Sequence, residues 1–323
     1  MLPRRTAVLV SVALLFAGIE TSLGNAQEAL APVKAVQMIG LTGVKQNAKG
    51  TLKVENGNLQ FVHGKTNAGI SAAAIQDVVT GDDTQRSVGG TVGVMSMAAP
   101  YGGGRFLSLF RKKIDTLTIQ YRNMDGALHG AIFTMPVGGA NAIRTELVSA
   151  GANTIAAGQP ATDGPSGKEQ NALQFPEHLS GKISASAIQV EMIQSDEVKL
   201  PAEFQIALYE NLVHQIEKQR TFQHVYRGGD HTAASAPDLV VLHCTVQGFK
   251  AGSERARQVT TVAGATSITV HCQFTGPDAK PLLARDVSGK VRFFGGNLRA
   301  TYDFAKKAAH VADENFAAPD HRP

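Results

Sequence analysis

The dipeptide Asn56-Gly57 stands between two runs in which every second residue is apolar, and no other feature limits the fold of this chain as much. Asn-Gly accepts the positive φ angles of a two-residue hairpin turn, whose twist matches that of the flanking strands. Pairing through such a turn sets Val54 against Leu59 and Leu52 against Phe61. Lys53, Glu55, Asn58 and Gln60 then share the other face. One buried face and one wet face suit an antiparallel sheet.

A second hairpin is predicted where Leu117, Ile119 and Tyr121 alternate ahead of Asp125-Gly126. A two-residue loop there pairs Ile119 with Ile132 and Tyr121 with Gly130, and a four-residue loop brings the same faces together. On either register His129 faces away from the layer of Leu117, Ile119 and Tyr121, toward the surface. Between the hairpins, residues 70–79 read as a further strand, although Ala72-Ala73-Ala74 also tolerates helix. Ile143 and Leu147, one turn apart, with Gly151 as terminator, predict a short helix over Ala140 to Ala150. Residues 27–45 read as a loose lead-in.

At 323 residues the chain exceeds one typical domain, and its 33 glycines favour β-structure with many turns. The boundary falls in residues 152–182, where Gly158-Gln159-Pro160, Asp163 to Gly167 and Pro176 read as a flexible linker. Beyond it comes a strand from Ile183 to Ile193. A helix from Pro201 to about Gln219 follows, with Phe204, Leu208, Leu212 and Ile216 as its apolar stripe. Glu203, Glu210, His214 and Lys218 lie opposite, so Glu210 and His214 read as an exposed pair one turn apart. Strands around 222–226, 238–249, 259–274 and 282–294 are expected next, then a terminal helix from about Leu298 to Asn315, capped by Asn297. The fold class is α+β, the second half a layer of mostly antiparallel sheet under two helices.

The first 26 residues have the pattern of a secretory signal peptide. Arg4 and Arg5 precede an apolar run from Ala7 to Ile19, and Gly24-Asn25-Ala26 places small residues for cleavage after Ala26. An uncleaved anchor is the other reading, but the run is short for a bilayer span. No Cys lies near the cleavage point, so lipid attachment there is not expected, and the destination is the periplasm or beyond. Without residues 1–26, which hold Arg4, Arg5 and Glu20, the formal charge drops from +4 to +3. That balance gives no footing for nucleic-acid binding.

Residues 40–151 contain Pro100-Tyr101-Gly102-Gly103-Gly104-Arg105, Ser108-Leu109-Phe110, Lys112-Lys113, Asp115-Thr116-Leu117-Thr118, Tyr121 and Gly126 through Phe133. This set resembles a bacterial exported domain of the pleckstrin-homology (PH)-like superfold. The resemblance implies a bent antiparallel β-barrel capped by a C-terminal helix, and no assigned activity. Residues 183–316 carry Leu200-Pro201, Phe222 to Asp230, Asp238-Leu239-Val240-Val241, Gly252-Ser253 with Arg255 or Arg257, Gly264, and Phe294 to Asn297 before an Ala-rich helix. They resemble an uncharacterised bacterial family of exported α/β domains often found on envelope lipoproteins. Residues 317–323 are expected to form a tail. Fold alone does not settle function.

Chemistry-bearing patterns are sparse. No nucleophile elbow, zincin helix, phosphate loop or dinucleotide fingerprint is present, so no catalytic residue and no cofactor is assigned. Cys244 and Cys272 sit on the apolar faces of two predicted strands. They form a disulfide if those strands are neighbours, and are otherwise two separate buried thiols, the reading favoured here. Adjacent strand residues point to opposite faces, so His243-Cys244 and His271-Cys272 are not expected to build one zinc site. His224, Asp230, His231 and Asp238 read as solvated loop residues rather than metal ligands. The strongest contact candidate is the basic apolar knot Arg105, Phe106, Phe110, Arg111, Lys112 and Lys113 beside a glycine-rich loop. Its apolar members are either core, as most such residues are, or a surface that meets anionic head groups. The expected function is non-catalytic binding or scaffolding in a cell envelope, with envelope proteins or an anionic membrane surface as partner. A periplasmic hydrolase with an unrecognised site is the alternative.

Overall fold

A computed structural model describes residues 31–83, 114–154, 175–176, 181–195, 197–252, 265–291 and 298–319. The expected signal peptide and most of the expected linker lie outside the described residues. The N-terminal half contains β1 (Val33–Ile39), β2 (Ala48–Glu55), β3 (Asn58–His63), β4 (Thr66–Ser71), β5 (Ile75–Asp83), β6 (Ile114–Arg122), β7 (Leu128–Pro136) and helix α1 (Gly139–Ser149). The strands form one sheet in the order β4-β3-β2-β1-β7-β6-β5, antiparallel at every ladder. Asn56 (φ 51) and Gly57 (φ 71) make the expected two-residue turn, and Val54 opposes Leu59 while Leu52 opposes Phe61.

The sheet curls. Strands β3 and β7 are separated by β2 and β1, which in a flat sheet would keep them about 14 Å apart. Yet the rings of Phe61 and Phe133 approach to 5.7 Å between centroids. Both belong to a core built from Leu52, Leu59, Ile75, Leu117 and Ile119, over which α1 lays Ile143 and Leu147. The closed barrel expected from the resemblance is not formed by the described ladders. The order runs from β4 at one edge to β5 at the other, and these two do not pair among the described residues.

Two local expectations need correction. Part of the supposed lead-in is β1, which sits at the centre of the sheet between β2 and β7. Its buried face is Ala35, Gln37 and Ile39, a small, a polar and a large apolar residue, so the sequence shows no apolar alternation there. The second hairpin turns through five residues, Asn123 to Ala127, with Arg122 opposite Leu128 as the last pair. The Asn123 side-chain oxygen accepts from the amides of Asp125 (3.0 Å) and Ala127 (2.9 Å), and Gly126 supplies φ 82. An odd loop shifts the pairing by one residue and exchanges the faces of β7. Leu117 therefore opposes Phe133, Ile119 opposes Ala131 and Tyr121 opposes His129. Leu128, Gly130 and Ile132 are turned to the outside of the curled sheet.

The second half contains β8 (Ile183–Ser184), β9 (Ala187–Val190), α2 (Ala202–Gln219), β10 (His224–Arg227), β11 (Leu239–Lys250), β12 (Thr266–Thr275), β13 (Pro281–Val291), α3 (Arg299–Asn315) and β14 (Phe316–Ala317). Five strands form a sheet in the order β10-β9-β11-β12-β13. It is mixed: β9 runs parallel to both neighbours, and the other two ladders are antiparallel. Helices α2 and α3 cover the face of Leu242, Cys244, Val270, Cys272 and Phe274. Residue 317, expected in the tail, instead pairs with Ser184 where this half begins.

The halves meet through α2. Its expected stripe enters the second core, while Ile206 and Ala207 on the opposite side pack against Ile39 and Ile132 of the first sheet. Gly130 is a point of close approach between α2 and β7. A Cβ there would stand 2.3 Å from Cγ2 of Ile206 and 2.9 Å from its Cδ1. Gly130→Val is accordingly expected to cost about 1–3 kcal/mol through overpacking. Urea unfolding should register that loss, and limited proteolysis should show the two halves separating.

Candidate functional site

A buried ion pair stands where α2 meets β7. Glu210 was expected on the wet face of α2, but it is only 4% exposed. Its Oε1 accepts from the Gly130 amide (2.8 Å) and from Nη1 of Arg227 (2.8 Å), and its Oε2 accepts from Nη2 of Arg227 (3.0 Å). Arg227 Nη1 also donates to the Leu128 carbonyl at 3.3 Å, and its guanidinium lies 5.7 Å from the centroid of the Tyr209 ring. The Tyr209 hydroxyl donates to the same carbonyl (3.3 Å) and accepts from the Gly228 amide (3.1 Å). Backbone bonds from Leu128 to Gly228 (3.0 Å) and from His231 to Asp125 (2.9 Å) complete the seam. His214, by contrast, is exposed.

Burial pushes the Glu210 carboxyl up, while the charge and hydrogen bonds of Arg227 and the Gly130 amide pull it back. Burial alone would weaken the Arg227 charge, but Glu210 outweighs it and holds the guanidinium above its ordinary value. This fork-to-fork pair, with the Gly130 amide and the Leu128 carbonyl as further partners, clamps α2 and β10 to β7. The signal for it in the sequence was Gly130, since an isolated glycine inside a strand marks a close backbone approach. Nothing in the spacing pointed to Glu210 or Arg227.

His129 lies beside this seam, on the inner face rather than the surface position expected for it. Its ring stacks on Tyr121 with centroids 5.2 Å apart and planes inclined by 18°. Burial, and then the positive charge of Arg227, lower its pKa to about 4, with Asp230 opposing. Its Nδ1 is buried without a hydrogen-bond partner among the described residues, as are both amide atoms of Gln37.

On the outward face of the five-stranded sheet, a cavity of about 400 Å³ is lined by Ala234, Asp238, Leu239, Val241, His243 and Thr275, among others. Burial lowers the pKa of His243, so its imidazole is neutral at pH 7. Two non-glycine residues of this lining hold left-handed backbone, Asp238 (φ 49) and Ala279 (φ 57). Asp tolerates that conformation, whereas Ala has no side-chain hydrogen bond to offset it.

Cys244 and Cys272 stand directly opposite each other as free, buried thiols with Sγ atoms 3.1 Å apart. His243 and His271 point to the other face, where His271 Nδ1 pairs with Asp286 Oδ1 at 2.6 Å. Among the described residues no group of three or more His, Cys, Asp or Glu is placed to hold a metal ion. Asp230 instead caps a short turn, accepting from the Thr232 amide at 2.9 Å.

Arg105, Phe106, Phe110, Arg111, Lys112 and Lys113 lie outside the described residues. The residues that flank their segment are described: Asp83 of β5 pairs with Ile114 of β6, which in turn opposes Pro136. Beside them Asp115 Oδ2 accepts from the Gly138 amide at 2.6 Å, at the entrance to α1.

No protein-family model and no curated protein matches this chain. Among solved structures, the chain is similar to PelC of Paraburkholderia phytofirmans, crystallised as a dodecamer. One form, a point variant, gives a TM-score of 0.31 at 9% identity, covering 44% of this chain and 96% of that one. A second form gives 0.32 at 8% identity, covering 42% and 91%. A putative neuraminyllactose-binding hemagglutinin homolog from Helicobacter pylori gives 0.24 at 13% identity, covering 44% and 90%. Scores of this size establish neither fold nor activity.

Removing one partner of a buried ion pair strands the other, at a cost of about 3–5 kcal/mol. Glu210→Ala should lose that much in urea unfolding, and Glu210→Leu combined with Arg227→Met should lose clearly less than the sum of the single variants. His129 is neutral in the folded chain and titrates near 6.5 once unfolded. Its contribution to stability is thus whole above pH 6.5 and is lost as the pH falls toward about 4. Urea midpoints taken from pH 7 to pH 4.5 should fall more steeply for the wild type than for His129→Phe.

Proposed function

We propose that this chain is an exported, non-catalytic binding or scaffold protein of a bacterial cell envelope. In this reading residues 40–151, with β1 added, form a PH-like domain, and residues 183–316 form the envelope-type α+β domain. The curled seven-stranded sheet with a helix packed over its core supports the PH-like assignment. The contact surface is the basic segment that holds Arg105, Phe106, Phe110, Arg111, Lys112 and Lys113, and its partner is an anionic membrane surface or an envelope protein.

The observation that carries the reading is where this segment is rooted. The second half engages the first sheet from Arg122 to Ile132, which stands opposite Thr118, whereas Ile114 lies at the far end of β6 with Asp83 of β5 opposite it. At about 3.4 Å per residue, Ile114 is roughly 14 Å along the strand from the nearest of these contacts. The roots of the basic segment thus lie outside the seam, where Glu210 and Arg227 pair with each other.

Co-sedimentation of the chain from Gln27 with anionic liposomes tests the reading. Four surface cations at about 1 kcal/mol each predict that changing Arg105, Arg111, Lys112 and Lys113 to Ser lowers partitioning by about two orders of magnitude or more, with the fold intact. Failure of the wild type to sediment at low salt would remove the membrane as partner and leave envelope proteins, to be sought by crosslinking.

A further inference from the structure

Directly opposed residues of an antiparallel pair alternate between hydrogen-bonded and non-hydrogen-bonded sites, and side chains approach more closely at the latter. The carbonyls of Leu242 and Cys244 accept from the amides of Glu191 and Gln194, and the Val246 amide donates to Gln194. These backbone groups of β11 therefore point away from β12. Cys244 consequently occupies a non-hydrogen-bonded site opposite Cys272, which explains why the sulfurs lie 3.1 Å apart. Cross-strand neighbours of this kind fall within the Cα separations that a disulfide spans, about 4.4–6.8 Å.

We infer that Cys244 and Cys272 close into a cross-strand disulfide, stapling the centre of the five-stranded sheet beneath α2 and α3. The pairing follows from the strand register and stands apart from the proposed binding function. Only its formation in the cell rests on export to an oxidising compartment. Both cysteines are buried, at 2% and 1% exposure, and burial together with the neighbouring sulfur pushes the Cys244 thiol well up. Exchange thus belongs to the stage before the sheet closes, when thiolates are accessible. One cysteine thiolate attacks the disulfide of an external oxidant such as oxidised glutathione, giving a mixed disulfide and one released glutathione thiolate. The second cysteine loses its proton to solvent and attacks the protein sulfur of that mixed disulfide, releasing the second glutathione. One S–S bond forms as another breaks, and two electrons pass to the oxidant.

Refolding the full chain in a glutathione redox buffer, then alkylating it in denaturant before mass analysis, tests the inference. The expected product takes up no alkyl group without reductant and yields one linked peptide pair containing Cys244 and Cys272. Two alkylated cysteines, or two glutathione adducts, in protein with the native far-UV spectrum would overturn it. A linked pair found only in protein lacking that spectrum would overturn it equally. With the link formed, reductant should lower the thermal midpoint of the wild type by roughly 5–10 °C and leave the Cys244→Ala, Cys272→Ala double variant unmoved.

Discussion

The register of β7 decides how this molecule is assembled. Because the turn from Asn123 to Ala127 holds an odd number of residues, Phe133, Ala131 and His129 enter the first core, and Leu128, Gly130 and Ile132 are left outside it. A slip of one residue would exchange the two sets, and His129 or Ala131 would stand where α2 needs a glycine. The turn itself depends on the Asn123 side chain, whose single oxygen holds two backbone amides. Leu128 then reaches into the core of the second half, while Ile132 packs with Ile39, Ile206 and Ala207 between the two.

The close approach at Gly130 brings a backbone amide to the Glu210 carboxylate. Such an approach buries both, so the carboxylate needs a full set of partners. Arg227 supplies them from β10, at the edge of the second sheet, and Tyr209 stacks beneath its guanidinium. Two strands and a helix that are distant in sequence are thus held by one charge-assisted network, 80 residues apart from Gly130 to Glu210. Helix α2 is consequently buried on nearly all sides. It serves the second core with one face and the seam with the other.

The second sheet separates its chemistry by face. Apolar residues and both thiols lie under the helices, and His243, His271 and Asp286 lie outside with the cavity. That separation is a direct result of strand alternation, which sends each cysteine and its preceding histidine to opposite faces. The buried pair of Glu210 and Arg227 is likewise engaged in architecture, at the seam between the halves.

Local rules carried the sequence a long way where one face was apolar and one turn was unambiguous. Asn56-Gly57 determined its hairpin and register, the 3.6-residue stripe determined α2, and alternation determined the inward faces of β11 and β12, because each of these is set within a few residues. Four features came to light only in the folded structure. β1 was hidden because its buried face is Ala35, Gln37 and Ile39. The register of the second hairpin turned on a side-chain bond from Asn123, which periodicity does not report. Glu210 looked wet because a helical stripe shows only one partner, and a second sheet lay against the other side. The opposition of Cys244 and Cys272 belongs to the same class, since alternation names the face of each residue but only strand pairing names its neighbour.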